Sequence, residues 1–268
     1  MLADTVQLSV RPSVRKSGLL QAALPLPAGV HWQSGLLLQT NQCNTAGFTV
    51  PCEEGFDNVG QAVPAYSTWK PLETNRQVSC TALNGKGVEQ FASDLMDATL
   101  DWSVGQELLT GYVTGNPNLQ DSYNVTGNIF EGLTPTQAVG CLESYGATVG
   151  QGAQLWLHVS TGLVAYLAEA NQLVADSSGQ LWTVGGSKVV TSAGYDASHY
   201  GINQFEAIYV TGDVWAATGP VEARHSVERG INRSDAWADQ TSIAVFDPCL
   251  LAGAMTTIEK CTFVPEVP

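Results

Sequence analysis

Apolar residues at Val88, Phe91, Leu95, Ala98 and Trp102 recur at helical spacing, and no other feature constrains this chain so tightly. The spacing predicts a helix from Gly87 to Leu109 with one apolar face. Glu89, Asp94, Asp97, Asp101 and Glu107 fall on its other side. Asn84-Gly85 supplies a turn before it and Gly111 a stop after it. A helix of that length is long for a globular domain. Its stripe, Trp102 included, is expected to bury itself on a sheet of the same domain.

The segment before it does not fit a compact domain. From Trp32 to Arg76 the chain is rich in Gly, Pro, Asn and Thr, with short strand-like pieces at Gly35–Gln39 and Gln61–Tyr66. So few apolar residues cannot build a core of their own, and a lone two-stranded ribbon is marginal in water. An excursion at about Cys43–Arg76 that lies across a neighbouring chain is therefore expected. Tyr66 and Trp69 would anchor it, and Lys70 and Arg76 would pair with Asp94, Asp97 or Asp101 of a neighbour's helix. Leu2–Val30 shows no sustained period and carries Arg11, Arg15 and Lys16. It reads as an arm that packs on another subunit.

Downstream, Thr134-Pro135-Thr136-Gln137 is a helix start, with a capping residue, Pro at the first helical position and Gln three after the cap. Ala138, Cys141, Leu142 and Tyr145 form the stripe of that helix, and Gly146 is its expected end. A strand at Ala153–Val159 and a helix at Thr161–Leu173 follow. Leu181–Val184 and Lys188–Thr191, joined by Gly185-Gly186-Ser187, read as a hairpin. Phe205–Ala217, Ser242–Phe246 and Met255–Phe263 read as strands. The fold class is α+β, without a regular βαβ rhythm.

Charge narrows the function. In 268 residues, 11 basic side chains face 25 acidic ones, for a net charge of −14. Binding to nucleic-acid phosphates rests on cations, so a DNA-binding protein is disfavoured. Only 13% of residues are charged, which leaves surface either to uncharged polar groups or to contact with other chains. Met1–Lys16 lacks the apolar run of a secretory signal, and the uncharged stretch between Glu143 and Glu169 is broken by glycines and His158. The chain reads as cytosolic and soluble. Cys43, Cys52, Cys80, Cys141, Cys249 and Cys261 contain no Cys-x-x-Cys pair; they read as buried thiols, with a Cys43–Cys52 bridge as the alternative.

No catalytic constellation emerges. Walker-type, Gly-x-Ser-x-Gly and His-Glu-x-x-His motifs are absent. Gly150-Gln151-Gly152 reads as turn glycines, and His225, near Glu222, Arg224 and Glu228, as a surface residue. Asn124-Val125-Thr126 and Asn232-Arg233-Ser234 match the glycosylation pattern but lack a secretory context. No catalytic, cofactor-binding or metal-binding residue is assigned. An arm, an excursion and a low charge density suit a subunit completed by copies of itself.

In this order the chain resembles the major capsid proteins of tailed bacteriophages with the HK97-type fold. The stretch Gly152–Val159, the helix after it, Gln180–Val190 and Gly194-Tyr195 resemble a segment in shell proteins of phages that infect actinobacteria. So does Tyr209-Val210-Thr211-Gly212-Asp213-Val214, and Asp239–Cys249 fits the last strands of the P-domain. The resemblance implies an N-terminal arm at 1–30 and an E-loop with flanking strands at 31–82. A P-domain with the spine helix at 83–133, an A-domain with an adjoining P-domain helix at 134–217, and returning P-domain strands at 218–268 would follow. It implies a virion protein, assembled in the host bacterial cytoplasm as hexamers and pentamers that enclose double-stranded DNA. Scaffolding, decoration and portal proteins would be its partners, with no membrane and no cofactor. Lys70 lies where some relatives place a crosslinking lysine, but no motif assigns the matching Asn or Glu. An encapsulin-like compartment, a minor head–tail or tail protein, and an enzyme with a scattered site are the alternatives.

Overall fold

The computed structural model describes residues 18–40, 65–80, 85–124, 129–150, 152–195, 205–228, 230 and 233–259. One helical turn, α1 (Leu19–Ala22), leads into β1 (Leu24–Pro25) and then β2 (Leu36–Thr40). Next come β3 (Ala65–Trp69), β4 (Leu72–Cys80), α2 (Gly85–Thr110), α3 (Asp121–Asn124) and β5 (Ile129–Leu133). The middle of the chain holds α4 (Pro135–Gly150), β6 (Trp156–Ser160), α5 (Thr161–Glu169), β7 (Leu173–Ala175), β8 (Leu181–Thr183) and β9 (Lys188–Ser192). It closes with β10 (Phe205–Thr211), β11 (Val214–Thr218), β12 (Glu222–Glu228), β13 (Arg233–Phe246) and β14 (Ala252–Glu259).

α2 has nearly the expected bounds but a different buried face. The row that enters the core is Val88, Ala92, Met96, Leu100, Val104 and Leu108, each four residues after the last. At 3.6 residues per turn such a row advances about 40° per step, so the contact line winds around the helix. Along this line α2 packs on β13, β4 and β12 and on a short turn at Ala193–Tyr195. Of the expected stripe only Val88 is fully buried. Phe91, Leu95 and Ala98 are half-buried, and Trp102 is 38% exposed. At the helix end Gly111 adopts φ +59°, and its N–H donates to Glu107 O at 2.7 Å, which terminates the helix as expected.

The smaller sheet is organised by β13. β11 and β12 lie end to end along one side of it, antiparallel, from Val214↔Phe246 to Glu228↔Arg233. β4 pairs along the other side, from Leu72↔Ser242 to Cys80↔Ser234. β1 joins β11 in parallel. Alternation along β13 sets the two faces: Ser234, Ala236, Ala238 and Gln240 point to α2, while Asp235, Trp237 and Asp239 point away.

The larger sheet runs β5-β14-β10-β6-β9-β8-β7. α4 and α5 pack on it through Ala138, Val139, Leu142, Leu163 and Leu167. The capping box at α4 forms as read: Gln137 N–H donates to Thr134 Oγ1 at 3.3 Å, and Thr134 N–H to Gln137 Oε1 at 3.0 Å. The helix does not stop at Gly146. That glycine is buried mid-helix, where an added Cβ would collide with Leu155, and α4 continues to Gly150.

Three further expectations are corrected. The alternation at Phe205–Ala217 is two strands: β10 belongs to the larger sheet and β11 to the smaller, with the change at Gly212-Asp213. β14, expected among the same returning strands as β13, pairs with β10 and β5 in the larger sheet instead. The helix expected to reach Leu173 ends at Glu169. Asn171 then turns with φ 54°, and Leu173 opens β7.

Candidate assembly surfaces

β2 and β3 form a separate two-stranded ribbon, in register from Leu36↔Trp69 to Thr40↔Ala65. Its connection, 41–64, lies outside the described residues. Leu37 on the ribbon is 65% exposed. The root, by contrast, is fixed within the chain. Trp69 is 1% exposed, packs edge-to-face on Phe246 at 5.2 Å between ring centroids, and donates from Nε1 to Ser67 Oγ at 2.9 Å. A side chain so buried in its own core is not available to a neighbour, which corrects the expected role of Trp69. Tyr66 sits opposite Gln39 in β3.

The backbone of Lys70 is clamped by buried Asn116, which accepts from Lys70 N–H at 2.7 Å and donates to Lys70 O at 2.8 Å. The Lys70 side chain itself is exposed. Arg76 turns inward to its own α2: Nε donates to Thr99 Oγ1 at 2.8 Å and Nη2 to Ser103 Oγ at 2.7 Å. Partial burial lowers its pKa from the usual arginine value. The expected bridge from Arg76 to a neighbour's helix is thus replaced by hydrogen bonds within the chain.

Arg11, Arg15 and Lys16 lie outside the described residues. The arm's last part, from Gly18, is docked on its own chain, which corrects the expected boundary at Val30. Leu19 and Ala22 are buried, Gly18 bridges to Thr191, and Leu20 N–H donates to Asp101 Oδ1 at 2.9 Å. Lys188 Nζ donates to Ala22 O at 2.6 Å while standing 4.0 Å above the Trp156 ring. Burial raises the pKa of Asp101, opposed by its bonds from Leu20 and Ser192.

The acidic side of α2 is partly used inside the chain. Glu89 meets His225 Nδ1 of β12 at 2.7 Å, so His225 ties helix to sheet instead of standing alone. Asp94 accepts from Gln90 Nε2 at 2.9 Å, and Asp97 is exposed. On the opposite face of the smaller sheet, ladders cross three strands. Arg224 and Asn75 converge on Asp239, and Arg233 and Ser79 on Asp235. These bonds hold both carboxyls below the ordinary aspartate range, led by Asn75 for Asp239 and by Ser79 for Asp235. The alternation of larger and small residues in Arg233-Ser234-Asp235-Ala236-Trp237-Ala238-Asp239 is the sequence signal for that face.

Where the two sheets meet, Tyr195 O–H and His158 are joined at 2.9 Å through Nδ1, and His158 Nε2 lies 2.9 Å from Thr211 Oγ1. Thr211 already donates to Gly212 O at 2.9 Å, so its oxygen accepts from Nε2–H, and Nδ1 accepts from Tyr195. Burial lowers the His158 pKa to about 3, which keeps the ring neutral, and raises that of Tyr195. Among the described residues no cluster of His, Cys, Asp and Glu is arranged to hold a metal, and no helix is long and apolar enough to cross a membrane.

No family model and no curated protein matches the sequence. Solved structures match throughout its length. A chain from Mycobacterium phage Bobi superposes with a TM-score of 0.60 at 12% identity, covering 94% of this chain and 93% of the other. The capsid of a native GTA particle gives 0.58 at 11% identity, covering 97% and 96%. The SrpI encapsulin of Synechococcus elongatus PCC 7942 gives 0.50 at 14%, covering 95% and 92%. The fold is HK97-like. Within that fold α2 is the spine helix and the β2–β3 ribbon the root of the E-loop.

Proposed function

We propose that this chain is the major capsid protein of a tailed double-stranded DNA phage, with hexamers and pentamers of it closing an icosahedral shell. One observation carries the reading. Nearly the whole chain follows a chain from a Mycobacterium phage and the capsid of a GTA particle, each almost end to end. A net charge of −14 suits a wall that contacts packaged DNA without gripping its phosphates. On this reading the protein is no enzyme and takes no cofactor. It belongs to the virion, is assembled in the host bacterial cytoplasm, and meets scaffolding, decoration and portal proteins. The excursion that β2 and β3 begin lies across an adjacent subunit, since an exposed two-stranded ribbon gains stability only against further surface.

Electron microscopy of the purified protein tests the reading. Closed shells are expected, and rings, tubes or persistent monomers overturn it. Similarity to an encapsulin favours a second reading, a compartment around an enzyme. Native particles separate the two, by DNA inside for a capsid and protein cargo for a compartment. Hydrogen exchange over 41–64 tests the ribbon: protection is expected to rise on assembly, and equal protection in free and assembled protein removes the contact.

A further inference from the structure

A groove of about 300 Å³ opens where the described chain begins, lined by Gly18, Ala98, Asp101, Trp102, Thr161 and Ala193. Its α2 wall continues upstream as an acidic edge. Asp94 is four residues before Ala98, and Asp97 four before Asp101, so both carboxylates share the groove's side of the helix. Asp101 is already engaged by Leu20 N–H, whereas Asp97 is exposed.

Covalent geometry limits what reaches this edge. Lys16 and Arg15 are two and three residues from Gly18, so their Cα atoms lie within about 7 and 10 Å of it. Along α2, Asp97 and Asp94 are about 6 and 10 Å from Asp101. Charge then separates the segments outside the described residues. Residues 41–64 carry Glu53, Glu54 and Asp57 with no cation, and 260–268 balance Lys260 with Glu266. Residues 1–17 set Arg11, Arg15 and Lys16 against Asp4 alone, which makes them net basic.

We propose that this groove is the docking site of the chain's own residues 2–17, held through Arg15 and Lys16 on Asp94 and Asp97. The docking goes beyond the shell reading and does not depend on it. If the chain does build shells, a docked arm is withheld from neighbours until it is released. Exposed ion pairs are weak and screened by salt, so the latch is one that ionic strength opens.

Trypsin cuts after arginine and lysine, so the arm reports on itself. The full-length protein is kept dilute and unassembled, and the rate of cleavage after Arg15 and Lys16 is followed at low salt. Asp94→Asn with Asp97→Asn is expected to raise that rate about fivefold, the scale of two surface ion pairs. About 0.5 M salt should bring the unaltered protein to the same rate. Ala98→Lys, which puts a like charge in the groove, should act in the same direction and serves if the double variant misfolds. Rates unaffected by the substitutions overturn the proposal. Protection that arises only in assembled particles also overturns it, because the arm then docks on another copy. A chain that forms no shells but shows the salt-dependent protection retains the docking and loses only the shell reading.

Discussion

His158 occupies the middle of β6, buried and with both ring nitrogens bonded, and protonation would break this arrangement. A second ring proton would face the Tyr195 oxygen, so the tyrosine would have to turn away. With a folded pKa near 3 against 6.5 for the free side chain, the unfolded chain binds more protons between those values. Stability is therefore retained above pH 6.5 and falls as pH drops toward 3, by roughly 3 kcal/mol at pH 4. Asp101, whose pKa is raised, works in the opposite direction, since it favours the fold while protonated. In His158→Gln the steep acid limb should flatten: the variant is less stable than the parent at pH 7 and closer to it, or ahead, at pH 4.5. Parallel urea-unfolding curves for the two proteins across that range would show that His158 is not the titrating group. Trp69 is a second decisive residue. Buried against Phe246, its replacement by Ala should cost about 3–5 kcal/mol in the isolated subunit, measured by chemical unfolding. A ribbon anchor on a neighbour would have left the isolated subunit unaffected.

At the level of elements, α2 shows how far a periodic pattern reaches. The 3-and-4 spacing of Val88, Phe91, Leu95, Ala98 and Trp102 identifies a helix but not the face its sheet selects. The core takes the adjacent i, i+4 row, which is the one that packs on β13 and β4. Met96 is fully buried and Trp102 38% exposed, which gives a paired test. Met96→Ala should cost about 2–5 kcal/mol and Trp102→Ala less than about 1 kcal/mol, despite the larger side chain removed. A reversed order would return the stripe to its expected place. The crossing of α2 with the turn at Ala193–Tyr195 depends on close backbone approach. A Cβ on Gly194 would overlap Trp102 O and Gln106 N, backbone atoms that cannot swing aside. Gly194→Ala should lower the thermal midpoint by an amount that corresponds to about 1–3 kcal/mol. The break between β10 and β11 is similar in kind. Alternation runs through Phe205–Ala217, and only the sheets available on either side of Gly212 divide it.

For the whole molecule, two truncations separate what is arm from what is core. Removal of residues 1–17 should leave a folded subunit, whereas removal through Val30 strips Leu19 and Ala22 from the core and β1 from β11. Circular dichroism and unfolding of the two fragments would show this, and equal stability would contradict the docking of α1. Much of the architecture is legible in the chain itself. The length and bounds of α2, the capping box at Thr134–Gln137, the glycine stop at Gly111 and the α+β class all rest on local rules, where neighbours within a few residues decide the outcome. The order of arm, excursion, helix and mixed region carries the capsid resemblance for the same reason. Other features depend on residues far apart in sequence. Trp69 is core because Phe246 lies beside it, Arg76 turns inward because Thr99 and Ser103 receive it, and β14 leaves the smaller sheet because β10 and β5 offer it two edges. Burial and strand partnership are properties of packing between distant segments. Only the tertiary structure decides them.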